Sequence, residues 1–138
     1  MKQAAYELTI QTPGQGLHEF TRAVTSWIDA QGIETGLLTL FCRHTSASLT
    51  INENAAPAVR RDIERWIARI APESRDYEHD DEGPDDMPAH LRAALTDVSL
   101  SIPVVRGAPA LGTWQGIYLF EHRTRPHRRQ VALHLIGD

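Results

Sequence analysis

Short strand-like runs joined by brief turns limit the folds open to this chain more than any other feature. Residues 6–10 alternate apolar and polar side chains, the period of a half-buried strand. Residues 36–42 form a continuous apolar run, which predicts a strand covered on both faces, and a second run at 49–53 follows after a short polar link. Strands joined so closely pair antiparallel, because parallel neighbours need a long crossover. The sequence therefore predicts an α+β fold of largely antiparallel sheets in a single domain, residues 1–138.

Two main helices and a short third helix are predicted between these strands. The first begins at Leu17 and stops before Gly32, and the second opens after Asn54 with Pro57 in its first turn. A short helix is expected over 87–95, and further strands at 98–102, 117–121 and 131–136. The second helix is predicted to bury a stripe made up of Val59, Ile63, Trp66, Ile67 and Ile70.

Composition excludes several classes of partner. The formal net charge of −4 gives no general attraction to nucleic acid or to an anionic membrane, and no apolar run is long enough to span a bilayer. Cys42 is the only cysteine, so no internal disulfide forms. We therefore expect a protein of the reducing cytoplasm with no nucleic-acid or membrane partner.

An acidic stretch at residues 76–90 is the most unusual segment of the chain. It carries seven carboxylates with a histidine near each end, and Gly83, Pro84 and Pro88 oppose a long helix or a central strand. Two interpretations remain open. The stretch is either a solvated acidic loop, or its imidazoles and carboxylates converge on a divalent cation.

Three histidines and one carboxylate make up the candidate ligand set for that cation. Asp86 and His90 are four residues apart, a spacing that places both on one side of the short helix. His79 lies in the acidic stretch, and His44 follows the strand at 36–42. These donors suit zinc or another first-row divalent ion, whereas magnesium, the usual partner of pyrophosphate, prefers oxygen ligands.

Other polar residues at strand ends are candidates for binding and proton transfer. The hydroxyls of Thr45 and Ser46 could hold a phosphate, or could merely satisfy backbone groups in a polar turn. Glu53 and Glu121 each end a strand. Each could act as a general base or as a hydrogen-bond partner of a histidine, or could be a plain surface charge. The basic run at 122–129 is predicted to be a solvated hairpin tip, and His134 a core histidine.

Several motifs span nearly the whole chain, at residues 44–54, His79 with the acidic run, 89–91, 99–104 and 111–119. In this order they resemble the YjbQ-like family, whose members are described as secondary thiamine-phosphate synthases. The resemblance implies a compact α+β domain that assembles as a homotrimer, with polar pockets near the subunit boundaries. The family's histidine positions fall on His44, His79 and His90, and its acidic and polar positions fall on Glu53, Asp86, Gln115 and Glu121.

Three functions follow as expectations. The resemblance implies condensation of hydroxymethylpyrimidine diphosphate with thiazole phosphate and release of pyrophosphate. In that case His44, Glu53 and Glu121 would be catalytic, and Thr45, Ser46 and Gln115 would bind substrate. The same ligands suit a metal-dependent hydrolase of a small phosphorylated metabolite. The third alternative is a trimeric protein that binds a small anion and does no chemistry.

Overall fold

The computed structural model describes residues 1–138 and contains eight strands and three helices. The strands are β1 (Lys2–Thr12), β2 (Gly16–Glu19), β3 (Thr35–Cys42), β4 (Ala47–Glu53), β5 (Ser99–Val105), β6 (Ala108–Pro109), β7 (Gln115–Glu121) and β8 (His127–Gly137). The helices are α1 (Thr21–Gln31), α2 (Pro57–Ile70) and α3 (Asp86–Leu95). None of the helices is long and apolar enough to cross a membrane.

The strands form two sheets, and every pairing in both is antiparallel. The larger sheet has the order β1-β8-β3-β5-β6, and the smaller has the order β2-β7-β4. The predicted α+β class, with two main helices and a short third helix, is confirmed. The predicted antiparallel pairing of the strands at 36–42 and 49–53 is wrong, because the short link between them carries the chain from the larger sheet to the smaller one.

The two sheets and α1 enclose the main hydrophobic core. Leu38 and Leu40 of β3, Leu133 of β8, and Val24 and Ile28 of α1 belong to one buried cluster. The opposite face of the smaller sheet packs on α2 through a second cluster, made up of Leu17, Ile67, Tyr118 and Phe120. The smaller sheet is therefore covered on both faces, which explains why β7 is apolar along nearly its whole length.

The larger sheet is covered on one face only. Leu37 and Phe41 of β3 are 44% and 47% exposed, although the apolar run at 36–42 predicted a strand buried on both faces. Leu37 pairs with Ile136, which is also exposed, so these side chains share the uncovered face. That prediction is wrong for the single chain.

Both main helices begin later than predicted. Residues 16–19 form a strand beside β7, so α1 starts only at Thr21, and His18 lies on β2 instead of on a helix. Asn54 does not cap α2, because its side-chain amide donates to the carbonyl of Gln115. Of the predicted α2 stripe only Ile67 is buried. The sheet beneath α2 has only three strands, so it covers a narrow strip of the helix surface.

Only part of the basic run at 122–129 is the predicted solvated tip: residues 124–126 are exposed, whereas its two ends are buried. His122 is fully buried, and Arg129 is 4% exposed and paired with Glu121. Arg123 is partly buried against two carboxylates of the acidic stretch. His134, by contrast, is exposed and bonds to Gln3 on the outer face of the larger sheet, so it is not a core histidine.

Candidate functional site

The acidic stretch folds back so that His79 meets the first two turns of α3. Asp86 opens that helix and His90 lies one turn further on the same side. The Oδ2 atom of Asp86 is 2.8 Å from Nε2 of His79 and 3.1 Å from Nε2 of His90. One ligand atom from each of the three residues lies within 4.8 Å of the other two. We call these three residues the His-Asp-His cluster.

The carboxylate at the centre of the cluster is buried and held from behind. The side chain of Asp86 is 6% exposed, and its Oδ1 accepts a 2.6 Å hydrogen bond from Nη1 of Arg123. Burial alone would raise the pKa of Asp86, but the hydrogen bond with His79 and the charges around it hold the pKa below its ordinary value. Asp86 is therefore an anion that faces two imidazoles.

Arg123 owes its position to a second carboxylate. Oδ2 of Asp85 accepts from Nε of Arg123 at 2.9 Å and from the backbone N–H of Thr124 at 2.9 Å. Although burial opposes ionisation, these bonds lower the pKa of Asp85 to about 2. The sequence reasoning missed Arg123 and Asp85. The paired aspartates at 85–86 and the arginine-rich run at 123–129 are visible in the sequence. No spacing rule predicts that they form a pair, because they lie far apart in the chain.

The two histidines keep solvent access. The side chain of His79 is 41% exposed and that of His90 is 34% exposed. The hydrogen bond to Asp86 raises the pKa of His79, as expected for an imidazole beside a carboxylate. The cluster therefore combines a fixed, buried anion with two accessible nitrogens, an arrangement that fits a divalent metal ion.

His44 is not part of the cluster, although it was predicted to be a ligand. Its Nε2 accepts a 2.8 Å hydrogen bond from the backbone N–H of Gln130, which places the ring proton on Nδ1. Burial lowers the pKa of His44, and the charge of Arg129 lowers it further. In this geometry His44 is a neutral hydrogen-bond donor, and its nitrogens are unsuited to hold a metal.

His44 and His90 nevertheless line the same cleft. This cleft has a volume of about 660 Å³, and its walls include Arg43 and Thr45 beside the two histidines. Phe41, Ala93, Ala94 and Val98 supply an apolar floor. An open cleft with an apolar floor and a few convergent polar groups is the usual form of a small-molecule site.

Ser46 and Glu121 belong to a buried network away from the cleft wall. Oγ of Ser46 accepts from Nη2 of Arg129 at 2.9 Å, and Glu121 receives hydrogen bonds from Arg129 and from Thr12. Glu121 is 1% exposed, and backbone N–H groups also donate to its Oε2. This geometry supports a structural role for both residues and gives no support to substrate binding by Ser46 or catalysis by Glu121.

Glu53 and Gln115 lie at the other end of the smaller sheet. They are partners in the β4–β7 register, whereas Glu121 pairs with Ala47 at the end nearer the cleft. The length of β4 separates the two ends by about 20 Å. Glu53 accepts from the N–H of Ala56, and Gln115 accepts from the N–H of Gly112. Within one chain, neither residue reaches the His-Asp-His cluster.

Comparisons with known proteins agree on one family. The family described as "UPF0047 protein YjbQ-like" matches residues 6–138. The chain is 51% identical to a UPF0047 protein of Synechocystis over 95% of this chain and 90% of that protein. It is 45% identical to the UPF0047 protein YjbQ of Salmonella typhimurium, over 95% of this chain and 96% of that protein.

Solved structures repeat the fold over nearly the full length. A YbjQ-like protein of unknown function from Sulfolobus solfataricus superposes with a TM-score of 0.87 at 25% identity, over 99% of this chain and all of that one. A conserved hypothetical protein from Thermus thermophilus gives a TM-score of 0.85 at 34% identity, over 95% of this chain and 99% of that one.

Proposed function

Since the chain belongs to the YjbQ-like UPF0047 family, we propose that it is a metal-dependent enzyme that acts on a small phosphorylated metabolite in the cleft beside α3. The observation that carries this proposal is the convergence of His79, Asp86 and His90 on one another at the edge of that cleft. His90 belongs to both features, so a metal at the cluster would be next to a bound substrate.

The donor set fits a divalent ion of the zinc type. Two imidazoles and one carboxylate make up the protein ligands of many catalytic zinc sites, which keep a further position open. Magnesium is the less suitable ion, because it favours an oxygen shell. When bound, such an ion supplies a Lewis acid for a phosphoryl oxygen and acidifies water. His79, Asp86 and His90 would hold it.

The remaining cleft residues would bind and orient the substrate. Arg43 offers a guanidinium, and Thr45 a hydroxyl, to phosphate oxygens. His44, neutral because its Nε2 accepts from Gln130, would donate its Nδ1–H to the substrate. The apolar floor formed by Phe41 and its neighbours suits the non-phosphate part of a metabolite.

Hydrolysis of a phosphate ester is the reaction that this donor set favours. The second candidate is the thiamine-phosphate synthase reaction, which the family resemblance implies. A cleft of about 660 Å³ is large enough for two small substrates, which favours keeping this candidate. The third alternative is a small-anion-binding protein that uses the same residues without turnover.

One pair of assays separates these functions. Zinc-loaded protein is tested for phosphate release from a panel of small phosphomonoesters, and for pyrophosphate release from the two thiamine precursors. We expect phosphate release that is lost in Asp86→Asn and kept in Asp76→Asn, since Asp76 is an exposed carboxylate outside the cluster. Pyrophosphate release alone would favour the synthase, and the absence of both products would favour the anion-binding protein.

A homotrimer is also part of the proposal. The uncovered face of the larger sheet carries Leu37, Phe41, Val105 and Ile136, each exposed by more than a third. An apolar sheet face of this kind is typical of a subunit interface. It supports the oligomer that the family resemblance implies.

A further inference from the structure

Arg92 is a buried charge without a counter-ion. It is 8% exposed, and it lies on α3 away from the His-Asp-His cluster. The other charged residues buried in this chain, Asp85, Asp86, Glu121 and Arg129, all belong to ion pairs. Arg92 forms none. A guanidinium stays charged at any physiological pH, and an unpaired buried charge carries a large desolvation cost.

The hydrogen bonds of Arg92 use only part of its capacity. Nε and Nη2 both donate to the carbonyl of Ala71, at 3.2 and 3.1 Å, and so cap the carboxyl end of α2. This contact and the helix dipole offset some of the charge. Nη1 and the second hydrogen of Nη2 have no protein acceptor. One of the two N–H groups of Nη1 and the free N–H of Nη2 form the end of the guanidinium fork, which binds a carboxylate through two parallel hydrogen bonds.

Arg92 lines a cavity from which a small molecule can reach these donors. The cavity has a volume of about 230 Å³, and its walls include Gln15 and Gly16 before β2, Ala68 of α2, and Phe120 of β7. Ala68 is exposed at the surface of α2, so the cavity has an opening to solvent beside it. None of its residues belongs to the His-Asp-His cluster or to the cleft beside α3.

Two carboxylates in the cavity wall restrict the charge of a ligand. Glu121 is neutralised by Arg129, and Oε2 of Glu64 accepts only the backbone N–H of Leu17 at 2.8 Å. The Glu64 carboxylate therefore has no cationic partner beside the cavity. A phosphate dianion would add two negative charges beside Glu64 against one from Arg92. A monocarboxylate adds only one negative charge, so it is repelled less than the dianion, and it matches the fork of Arg92.

We propose that this cavity is a second ligand site, which binds the carboxylate group of a small molecule through the free end of the Arg92 guanidinium. The site is separate from the proposed metal-dependent reaction, and its failure would leave that reaction untouched. The probe for the test is acetate, the smallest ligand that presents a carboxylate and an apolar group.

The test is an acetate titration of the thermal unfolding midpoint at constant ionic strength, with chloride as the balancing anion. For wild type we expect the midpoint to rise with the logarithm of acetate concentration, as mass action requires of a ligand bound to the folded state. Calorimetric titration should show acetate binding at least tenfold weaker in Arg92→Met.

A matched pair of variants covers the case in which Arg92→Met fails to fold. Ala68→Glu places a carboxylate at the cavity and should abolish the acetate response, whereas Ala58→Glu places the same charge at an exposed site on the same helix and should keep it. The proposal would be overturned if wild type responded equally to acetate and chloride, or if Ala68→Glu responded like Ala58→Glu.

Discussion

Asp86 connects the two parts of the candidate site at the scale of single residues. One oxygen faces the imidazoles of His79 and His90, and the other accepts from Arg123. Arg123 is in turn fixed by Asp85. Groups that hydrogen-bond to a metal ligand fix the orientation of that ligand. Arg123 donates to Asp86, so it is a positioning residue for the proposed metal site.

Replacing Arg123 should weaken metal binding without removing a ligand. In Arg123→Met, Asp86 loses the donor that fixes its Oδ1, and we expect zinc affinity to fall by about 10- to 100-fold. Calorimetric titration of metal-free protein measures the change. The matched control is Arg125→Met, because Arg125 is exposed on the same hairpin and its side chain makes no hydrogen bond to the protein. Equal affinities in the two variants would exclude a positioning role.

The ion pair between Glu121 and Arg129 should make the stability of the fold depend on pH. Burial alone would raise the pKa of Glu121, but hydrogen bonds from Arg129 and Thr12 outweigh it and the pKa lies below the ordinary 4.5. A carboxyl with a lowered pKa stabilises the fold above its unfolded pKa, and this contribution is lost as the pH falls through the folded value. Wild type should therefore lose stability progressively below pH 4.5.

Removal of that carboxylate should flatten the pH dependence. Glu121→Gln leaves Arg129 buried and unpaired, at a cost of about 3 kcal/mol near neutral pH. Urea unfolding at several pH values measures both effects. Glu7→Gln, which breaks an exposed pair with Arg43, should change stability by less than about 1 kcal/mol. A pH profile of Glu121→Gln parallel to that of wild type would contradict the assignment.

The individual site residues show where sequence reasoning succeeds and where it fails. The spacing of Asp86 and His90 predicted a shared helix side, and the structure brings both together with His79. Sequence spacing could not predict the role of His44, because that role depends on a backbone N–H of Gln130 in a distant strand. The burial of Glu121 and Arg129 likewise results from pairing across the sheets, which local composition does not encode.

Among the strands and helices, the apolar runs located the strands, but turn length did not predict how they pair. The short links at 43–46 and 122–126 predicted hairpins, yet each carries the chain from one sheet to the other, so β3 pairs with β8 and β4 with β7. Helix starts were less predictable. Leu17 lies at a helical spacing from Phe20 and Val24, but hydrogen bonds with β7 recruit residues 16–19 into a strand, since tertiary pairing overrides local propensity.

The junction of β3 with β8 leaves no room for a side chain at Gly36. A Cβ atom built there would lie well inside van der Waals contact of the backbone carbonyl of Ile136 on the neighbouring strand. Because backbone cannot give way as a side chain can, we expect Gly36→Ala to destabilise the fold by about 1–3 kcal/mol in urea unfolding.

Gly112→Ala is the control for that measurement. The nearest atom to a Cβ at Gly112 is Oε1 of the Gln115 side chain, at 3.4 Å, so little strain is expected there. A Gly36→Ala protein as stable as Gly112→Ala would show that the two strands can separate at low cost.

The whole molecule has one large apolar feature that a single chain leaves exposed. The larger sheet packs its inner face on α1 and the smaller sheet, while Leu37 and Ile136 lie paired on the outer face. The apolar run of β3 predicted burial on both sides. This expectation is consistent with the proposed homotrimer, in which neighbouring chains would cover the outer face.

A charge on that face should dissociate the proposed trimer. In Leu37→Glu a carboxylate would be buried at the interface without a partner, which costs several kcal/mol. We expect a monomer by light scattering coupled to size-exclusion chromatography, with wild type and Ala58→Glu both trimeric. A monomeric wild type, or a trimeric Leu37→Glu, would contradict an interface on this face.

The proposed metal site of His79, Asp86 and His90 should hold one divalent ion in each chain. Its most direct test is a zinc titration of metal-free protein by calorimetry, with wild type, His90→Ala and His134→Ala compared at one pH. We predict one ion per chain in wild type and in His134→Ala, and an affinity reduced by at least 100-fold in His90→Ala. Equal zinc binding by His90→Ala and wild type, or no stoichiometric binding by either, would contradict it.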